Sequence, residues 1–377
     1  MENVNGTSHI LDELNTQDLL HGNVQILHHF MSSLKSQALR CACGLGIPAA
    51  LHRLGGSATL AGLLDETGLH PSKLPYLRRL MRALTVSGIF ATAKHKQQSP
   101  AATEGNSSDS ETVYTLTPAS RLLVGDGPSS TMSALLNPRP ETGFAMFFKL
   151  EEWFRDDGGA GTLFKMAHGV TSPWDLAKVD ADYNRGLNKA CVADTSFVMD
   201  IILRGRGGDV FRGLTSLVDV GGGYGSAAVA IARAFPDVKC TVMDLQQVIS
   251  EAPDDGVVQF VAGDMFEFVP PAQATFFKNV LDCWNHEDCV KILQQCKKAI
   301  PTRDAGGKVI IINVVVGHGP DNIAVKETQV FYDMYMMSIS GIEREEHEWR
   351  KIFLEAGFSD YRITPILGYQ SIIEVFP

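Results

Sequence analysis

The stretch Leu217-Val218-Asp219-Val220-Gly221-Gly222-Gly223-Tyr224-Gly225 decides the fold of this chain. An apolar run that ends in an acid is typical of a buried parallel strand. The glycines after it predict a tight turn at which the backbone approaches a ligand closely. Residues 226–235 then follow a helical pattern. Strand, glycine loop and helix together predict the first unit of a nucleotide-binding α/β domain.

The spacing of these glycines narrows the choice of ligand. It is not G-x-G-x-x-G, and no Lys-Ser/Thr pair follows as in a phosphate-cradling loop, so a dinucleotide or triphosphate is not expected. A second strand ends in Asp244, which lies about twenty residues past the loop and is placed to accept from ribose hydroxyls. A third strand leads to Asp264 and Met265, an acid and an apolar residue suited to adenine. This pattern predicts a nucleoside without phosphates, such as S-adenosylmethionine (SAM).

Composition and charge exclude several classes of protein. The 377 residues are 45% hydrophobic and 20% charged, which predicts a soluble chain of about two domains. A formal net charge of -10 argues against a nucleic-acid or anionic-membrane partner. No signal-peptide run or membrane span is evident. The seven cysteines include no C-x-x-C pair, so we expect free thiols, no structural zinc and a cytoplasmic location.

Residues 1–135 are expected to form a mainly helical domain. Residues 24–54 have helical spacing and are so apolar around 41–51 that this part must be covered by its own chain or by a partner, and a homodimer is favoured. Two helices before residue 90 and a strand at 113–117 predict a winged helix, with 94–111 as a mobile hairpin tip. DNA binding is not expected, because Arg78, Arg79 and Arg82 are only a small basic cluster.

Residues 136–377 are expected to form the nucleoside-binding domain with a seven-stranded sheet. Further strands are predicted at 274–280 and 308–316, and an antiparallel pair at 361–365 and 371–376 closes the sheet. Long helices are predicted at 182–203, 328–338 and 345–356. The aromatic residues between 128 and 174 suit either a core or the wall of an aromatic substrate pocket, and the sequence leaves both open.

These motifs together resemble the plant small-molecule O-methyltransferases of the caffeate and flavonoid type. The resemblance covers almost the whole chain and is carried by Leu217 to Gly225, Gly263 to Phe266, Leu281 to Asn285 and Gly341 to Arg344. It implies a winged-helix dimerisation domain followed by a SAM-binding Rossmann-like domain. It also implies a homodimer that methylates a small aromatic acceptor, in a pocket lined partly by the partner subunit, without a metal.

The resemblance assigns roles by position. The residues implied to bind SAM are Gly221, Asp244, Asp264, Met265 and Lys278. The residues implied to line the acceptor pocket are Trp174, Asn184, Leu187, Met334 and Met337.

The catalytic positions depart from the family pattern. The family has a His two residues before the Trp of the Leu281 to Asn285 stretch, and this chain has Asp282. The acid that steadies that His in the fifth strand is replaced by Asn313, and only Glu343 is retained. We take these three residues as the catalytic candidates. His286, one helical turn beyond Asp282, is a weaker candidate for the base.

The departure leaves the methylated atom open. A phenol of pKa about 10 must lose its proton, and an Asp near 4 is mismatched by ~6 units where a His is mismatched by ~3.5, a difference of roughly a hundredfold in rate. Burial would raise the Asp pKa and recover part of this. An aromatic amine, such as an anthranilate-like acid, needs no strong base, so N-methylation is the alternative hypothesis. A SAM-binding protein with lost or altered catalysis is the third.

Overall fold

The computed structural model describes residues 14–94, 112–125, 143–159, 161–253 and 256–377. The chain divides into two units, Met1–Asn137 and Pro138–Pro377. The predicted hairpin tip at 94–111 lies outside the described residues, apart from its first residue. Its flanking strands do pair: Phe90 lies opposite Leu116 in an antiparallel register.

The first unit combines helices with a small antiparallel sheet, which confirms the mainly helical winged-helix arrangement. The helices are α1 (Thr16–Gly44), α2 (Ile47–Arg53), α3 (Leu60–Glu66), α4 (Leu74–Val86) and α5 (Pro118–Arg121), and the strands are β1 (Ser57–Thr59), β2 (Phe90–Lys94) and β3 (Thr112–Leu116). The sheet has the strand order β1-β3-β2. Gly46 adopts a φ of +67°, which breaks the single helix predicted over 24–54 into two.

The apolar surface of α1 and α2 has two different fates. The part around 41–51 is covered by its own chain, since Ala42, Ile47 and Leu51 are fully buried in the core of this unit. The earlier part of α1 is uncovered: Ile26 is 71% exposed and Phe30 is 72% exposed. We call the exposed side chains Leu20, Val24, Ile26, Leu27, Phe30, Met31 and Leu34 the α1 apolar face.

The second unit is built on one large sheet. Its strands are β4 (Ser216–Val220), β5 (Lys239–Asp244), β6 (Gln259–Ala262), β7 (Ala274–Lys278), β8 (Lys308–Val316), β9 (Arg344–Glu345), β10 (Asp360–Leu367) and β11 (Gln370–Phe376). They lie in the order β10-β11-β8-β7-β4-β5-β6. The five strands from β8 to β6 in this order run parallel, and β10 and β11 form the predicted antiparallel pair. The two-residue strand β9 adds to the seven predicted strands by pairing with β8.

Helices cover both faces of this sheet, so its central strands are apolar on both sides. The helices are α6 (Leu150–Arg155), α7 (Leu163–His168), α8 (Pro173–Val179), α9 (Ala181–Arg204), α10 (Ser226–Ala234), α11 (Gln246–Ile249), α12 (His286–Ala299), α13 (Ile323–Met337) and α14 (Glu346–Glu355). Neighbouring residues of one strand point to opposite faces: Phe277 packs under α12 and α14, whereas Phe276 packs under α9 and α10.

The aromatic residues before α8 divide between core and surface. Phe164 lies in a small buried cluster with Met146 and Leu163. By contrast, Phe148 is 95% exposed and Phe154 is 67% exposed. Part of this segment is therefore plain core, and only its inner side remains available to line a pocket.

Candidate active site

The glycine loop and Asp244 meet because their strands are parallel neighbours, with Val220 opposite Met243. Gly221 has a φ of +69°, and its N–H donates to the Met243 carbonyl at 2.8 Å. A Cβ at Gly221 would lie 3.1 Å from a methyl of Val280, so no larger residue fits without displacement. The Gly223 N–H donates to Asp244 Oδ2 at 2.8 Å. The loop is thereby held close to the acid that follows the next strand.

Asp264 and Met265 follow the neighbouring strand β6, which pairs with β5 so that Asp244 lies opposite Ala262. Asp264 Oδ1 accepts from the Phe266 N–H at 2.9 Å, which fixes the turn. Met265 packs against the sheet core. The carboxyl ends of β4, β5 and β6 thus bring these residues to one edge, where α/β sheets bind nucleosides. The glycine cradle and the adjacent acids fit SAM.

Lys278 is engaged by a residue that sequence reasoning missed. Its ammonium forms an ion pair with Asp194 of α9, and the two side chains are only 6% and 15% exposed. The next residue, Asn279, has a φ of +52° and accepts from Gln370 Nε2 at 2.7 Å. Asn tolerates this left-handed conformation better than most residues, which explains why β7 ends before the predicted residue 280. The contact of Lys278 with SAM stays a prediction.

Asp282, Asn313 and Glu343 come together behind the carboxyl ends of β7 and β8. Asp282 lies in a 3₁₀ turn, Leu281–Cys283, and Glu343 directly precedes β9. Their exposed fractions are 2%, 0% and 4%. Asn313 Nδ2 donates to Glu343 Oε2 at 3.0 Å. Asp282 Oδ1 is buried and has no hydrogen-bond partner among the described residues. Because an unsatisfied buried acceptor is costly, this oxygen is suited to receive a donor from a bound molecule.

The two acids of this group have unusual proton affinities. Burial raises the pKa of Asp282 to about 6, opposed in part by the charges of Lys278 and Arg344 and by hydrogen bonding from Asn313. Burial, with the neighbouring charge of Asp282, raises the pKa of Glu343 to about 9. Burial and mutual repulsion therefore favour a state in which the pair holds one proton near neutral pH. Asp282 becomes a base close in strength to an ordinary imidazole.

An aromatic wall borders the acids. Its three tyrosines were missed from sequence, whereas Phe147 lies in the aromatic segment that the sequence left open. Tyr332 and Tyr335 of α13 have ring centroids 6.3 Å apart. The wall continues from Tyr332 to Tyr369 at 5.8 Å and from Tyr335 to Phe147 at 6.2 Å. The helix that carries Tyr332 and Tyr335 lies beside the acids, since its Asp333 accepts from the Glu343 N–H at 2.8 Å. The available signal was the i, i+3 spacing of the two tyrosines.

The residues predicted to line the acceptor pocket differ in their exposure and contacts. Asn184 Nδ2 donates to Glu251 at 3.0 Å, and its Oδ1 accepts from Asn188, which also contacts Tyr224 of the glycine loop. Asn184 thus belongs to a polar network on the cofactor side. Trp174 is 47% exposed, Met334 is 38% exposed, and Leu187 and Met337 are half-buried. Their roles in acceptor binding stay predictions.

His286, the weaker candidate for the base, is engaged with a surface acid: its Nε2 lies 2.6 Å from Glu355. Within the described ranges, no three His, Cys, Asp or Glu side chains are grouped to hold a metal ion. All seven cysteines are free thiols. In the same part of the chain, no helix has the length and apolar character needed to cross a bilayer.

The fold and the site together define a SAM-dependent methyltransferase. The chain belongs to the O-methyltransferase family: the family model of the O-methyltransferase domain matches residues 147–359, and that of the O-methyltransferase dimerisation domain matches residues 27–126. The cofactor is S-adenosylmethionine.

The similar proteins span the full chain. Acetylserotonin O-methyltransferase 1 of Oryza sativa subsp. japonica is 50% identical, over 97% of each chain. The 5-pentadecatrienyl resorcinol O-methyltransferase of Sorghum bicolor is 46% identical, over 98% of this chain and all of its own. Human N-acetylserotonin methyltransferase, solved with SAM, shares the fold with a TM-score of 0.72 and 18% identity, covering 94% of this chain and 97% of its own.

Proposed function

We propose that this enzyme transfers the methyl group of SAM to a phenolic hydroxyl of a small aromatic plant metabolite, with Asp282 as the proton acceptor. The observation that carries the proposal is the buried Asp282 Oδ1, which has no partner among the described residues. The names of both plant relatives denote acceptors that are hydroxylated aromatic compounds. Tyr332, Tyr335 and Phe147 offer ring surfaces for such an acceptor.

Each group has a defined task in this reaction. Bound SAM supplies an electrophilic methyl carbon. Gly221, Asp244, Asp264, Met265 and Lys278 are the residues proposed to hold it. The aromatic wall orients the acceptor ring, and positioning supplies much of the acceleration. The hydroxyl proton passes to Asp282 Oδ1 as the oxygen attacks, while burial and the charge of Asp282 favour the neutral form of Glu343 beside it.

The two departures from the family pattern compensate each other. In the family arrangement an acid of the fifth strand steadies the His. Here an amide replaces that acid, and its Nδ2 donates to Glu343 Oε2 at 3.0 Å. An acid at position 313 beside Asp282 would place three carboxyl groups in one buried site, which repulsion disfavours. The substitutions at 282 and 313 therefore belong together as an exchange of donor and acceptor: an acceptor side chain stands at 282 and a donor at 313.

N-methylation of an aromatic amine is not favoured, since the family model and both plant relatives are O-methyltransferases. The direct test uses SAM with a labelled methyl group and a panel containing acetylserotonin, a 5-alkylresorcinol and matched arylamines. Label on a phenolic oxygen is the expected result. If no phenol is labelled although the enzyme binds S-adenosylhomocysteine, the demethylated product of SAM, the proposal is overturned in favour of altered catalysis.

The rate should depend on the ionisation of Asp282. Its charged form is the active base, so activity is present above a pKa of about 6 and lost below it. With SAM saturating, we expect kcat/KM for the acceptor to fall about tenfold per pH unit below that value, because this ratio reports ionisation before the acceptor binds. A rate profile from pH 4 to 8 checks this. A profile that stays flat to pH 5 would contradict Asp282 as a buried base, and so would one that breaks only near the pKa of a free Asp, about 4.

We further propose that residues 1–135 serve dimerisation and residues 136–377 serve methyl transfer, and that the α1 apolar face is covered by a second copy of the chain. The matching dimerisation domain and the 72% exposure of Phe30 support this. An isolated apolar patch of this kind marks a protein interface.

Phe30→Glu is expected to convert the homodimer to a monomer, because it would bury an unpaired charge in the interface. Sedimentation or light scattering measures the change in mass. Val86→Glu is the matched control, since Val86 is an 86% exposed apolar residue on α4 of the same unit. If the Phe30 variant and the control have the same mass as the unchanged protein, the α1 apolar face is not the interface.

A further inference from the structure

The turn that carries Asp282 makes one long hydrogen bond of its own, from the Trp284 N–H to the Leu281 carbonyl at 3.4 Å. It is a single 3₁₀ turn, Leu281–Cys283, that follows β7 and precedes α12. Backbone carbonyls in so short an element need partners from elsewhere. Among the described residues, the only distant backbone group that donates to a carbonyl of this turn is the Ile342 N–H, which donates to the Asp282 carbonyl at 2.7 Å. Gly341 permits this approach, since a Cβ there would lie 2.5 Å from the Asp282 carbonyl oxygen.

The side chain of Arg344 reaches two further carbonyls, those of Leu281 and Trp284, which the Cys289 thiol also contacts at 3.1 and 3.6 Å. Its Nη1 donates to the Leu281 carbonyl at 3.1 Å, and its Nη2 donates to the Trp284 carbonyl at 2.5 Å. A further bond from Nη1 to the Ile342 carbonyl, also 3.1 Å, ties the guanidinium to its own segment. The rigid fork of an arginine can hold separated acceptors in this way, whereas a lysine ammonium offers a single point.

The surroundings of Arg344 fit a positioning role better than an ion-pair role. The side chain is 2% exposed, and its guanidinium carbon lies 5.3 Å from the centre of the buried Trp349 ring. Among the described residues it forms no salt bridge with a carboxylate. Its backbone is anchored to the sheet, where Arg344 lies opposite Val315 of β8, two residues after Asn313. Burying a cation is costly, so a buried arginine that contacts three carbonyls and no carboxylate is expected to have a specific role.

We infer that Arg344 is the positioning residue of this active site: it holds the Leu281–Trp284 turn so that Asp282 faces the acceptor. The inference rests on the proposed role of Asp282 as the base. Arg344 touches neither substrate in this scheme: it acts through the turn, and its charge also holds down the pKa of Asp282.

The test compares Arg344→Met, which keeps length but removes every donor, with Arg344→Lys. We expect Arg344→Met to lower kcat about 10–100-fold, while acceptor KM and S-adenosylhomocysteine affinity change less than about threefold, because the base is disturbed and the groups that bind the substrates are not. Arg344→Lys should restore part of kcat. The matched control is Arg350→Met, an exposed arginine of α14. Unchanged kcat in Arg344→Met, or equal losses of kcat and S-adenosylhomocysteine binding, would overturn the inference.

A second measurement does not depend on turnover. Cys283 lies inside the held turn, so its alkylation by iodoacetamide, located by mass spectrometry, reports on release of the turn. We expect at least about tenfold faster alkylation of Cys283 in Arg344→Met than in Arg350→Met, since alkylation requires local opening. Equal alkylation rates would refute the inference about Arg344, whether or not the unchanged enzyme methylates a phenol. A failure to methylate any phenol would refute only the proposed function.

Discussion

Asp282→Asn should lower kcat/KM for a phenolic acceptor by about 10²–10³-fold, because the amide keeps the shape of the side chain but cannot take the proton. Affinity for S-adenosylhomocysteine should not change, since the glycine loop and Asp244 are untouched. The pH dependence below about 6 should disappear as well, as the group that produces it is gone.

Calorimetry and steady-state kinetics measure these quantities on one preparation. Asp304→Asn is the matched control, because Asp304 is an exposed acid in the same unit. A full rate in Asp282→Asn would rule out the base assignment and leave positioning alone as the origin of catalysis.

A double variant tests the exchange of donor and acceptor. Asp282→His alone places an imidazole against an uncharged amide, and Asn313→Asp alone crowds a third acid into the site. We expect each single change to lower kcat at least about tenfold and the double change to return it within about threefold of the unchanged enzyme, since contacting residues couple. If the two single effects simply add, the residues are not a matched pair.

Gly221→Val should weaken binding of S-adenosylhomocysteine by at least about a hundredfold. A non-glycine residue at a φ of +69° is strained, and the new Cβ would meet Val280 at 3.1 Å. Strain and overpacking each cost about 1–3 kcal/mol, and either is relieved only by moving the loop. Because the loop also bonds to Asp244, displacement removes two parts of the cofactor site at once.

Gly213→Val controls for strain without loss of the site. Gly213 has a φ of +75°, and a Cβ there would meet nothing within 4 Å. Both variants should lose thermal stability, but only the change at Gly221 should lose affinity. Calorimetry with S-adenosylhomocysteine decides the matter. Affinity within about threefold of the unchanged protein would place the cofactor elsewhere.

The sequence by itself determined the second unit's sheet and the positions of the candidate residues along it. The strand at 308–316 was predicted with the bounds that the structure shows, because nearly every residue in it is apolar and buried. Periodicity and glycine spacing are local signals, and they suffice when both faces of a strand are covered. Asp282, Asn313 and Glu343 could be proposed together only because the family resemblance relates positions far apart in the chain.

Only the tertiary structure decided how those residues act. The pKa of Asp282 follows from burial, which no local pattern reports. Lys278 and Asp194 are 84 residues apart, and Arg344 and Leu281 are 63 apart, so these contacts exist only after the sheet has assembled. The covering of residues 41–51 and the exposure of the α1 apolar face were equally undecided. An apolar pattern states that a surface must be covered, and packing alone chooses what covers it.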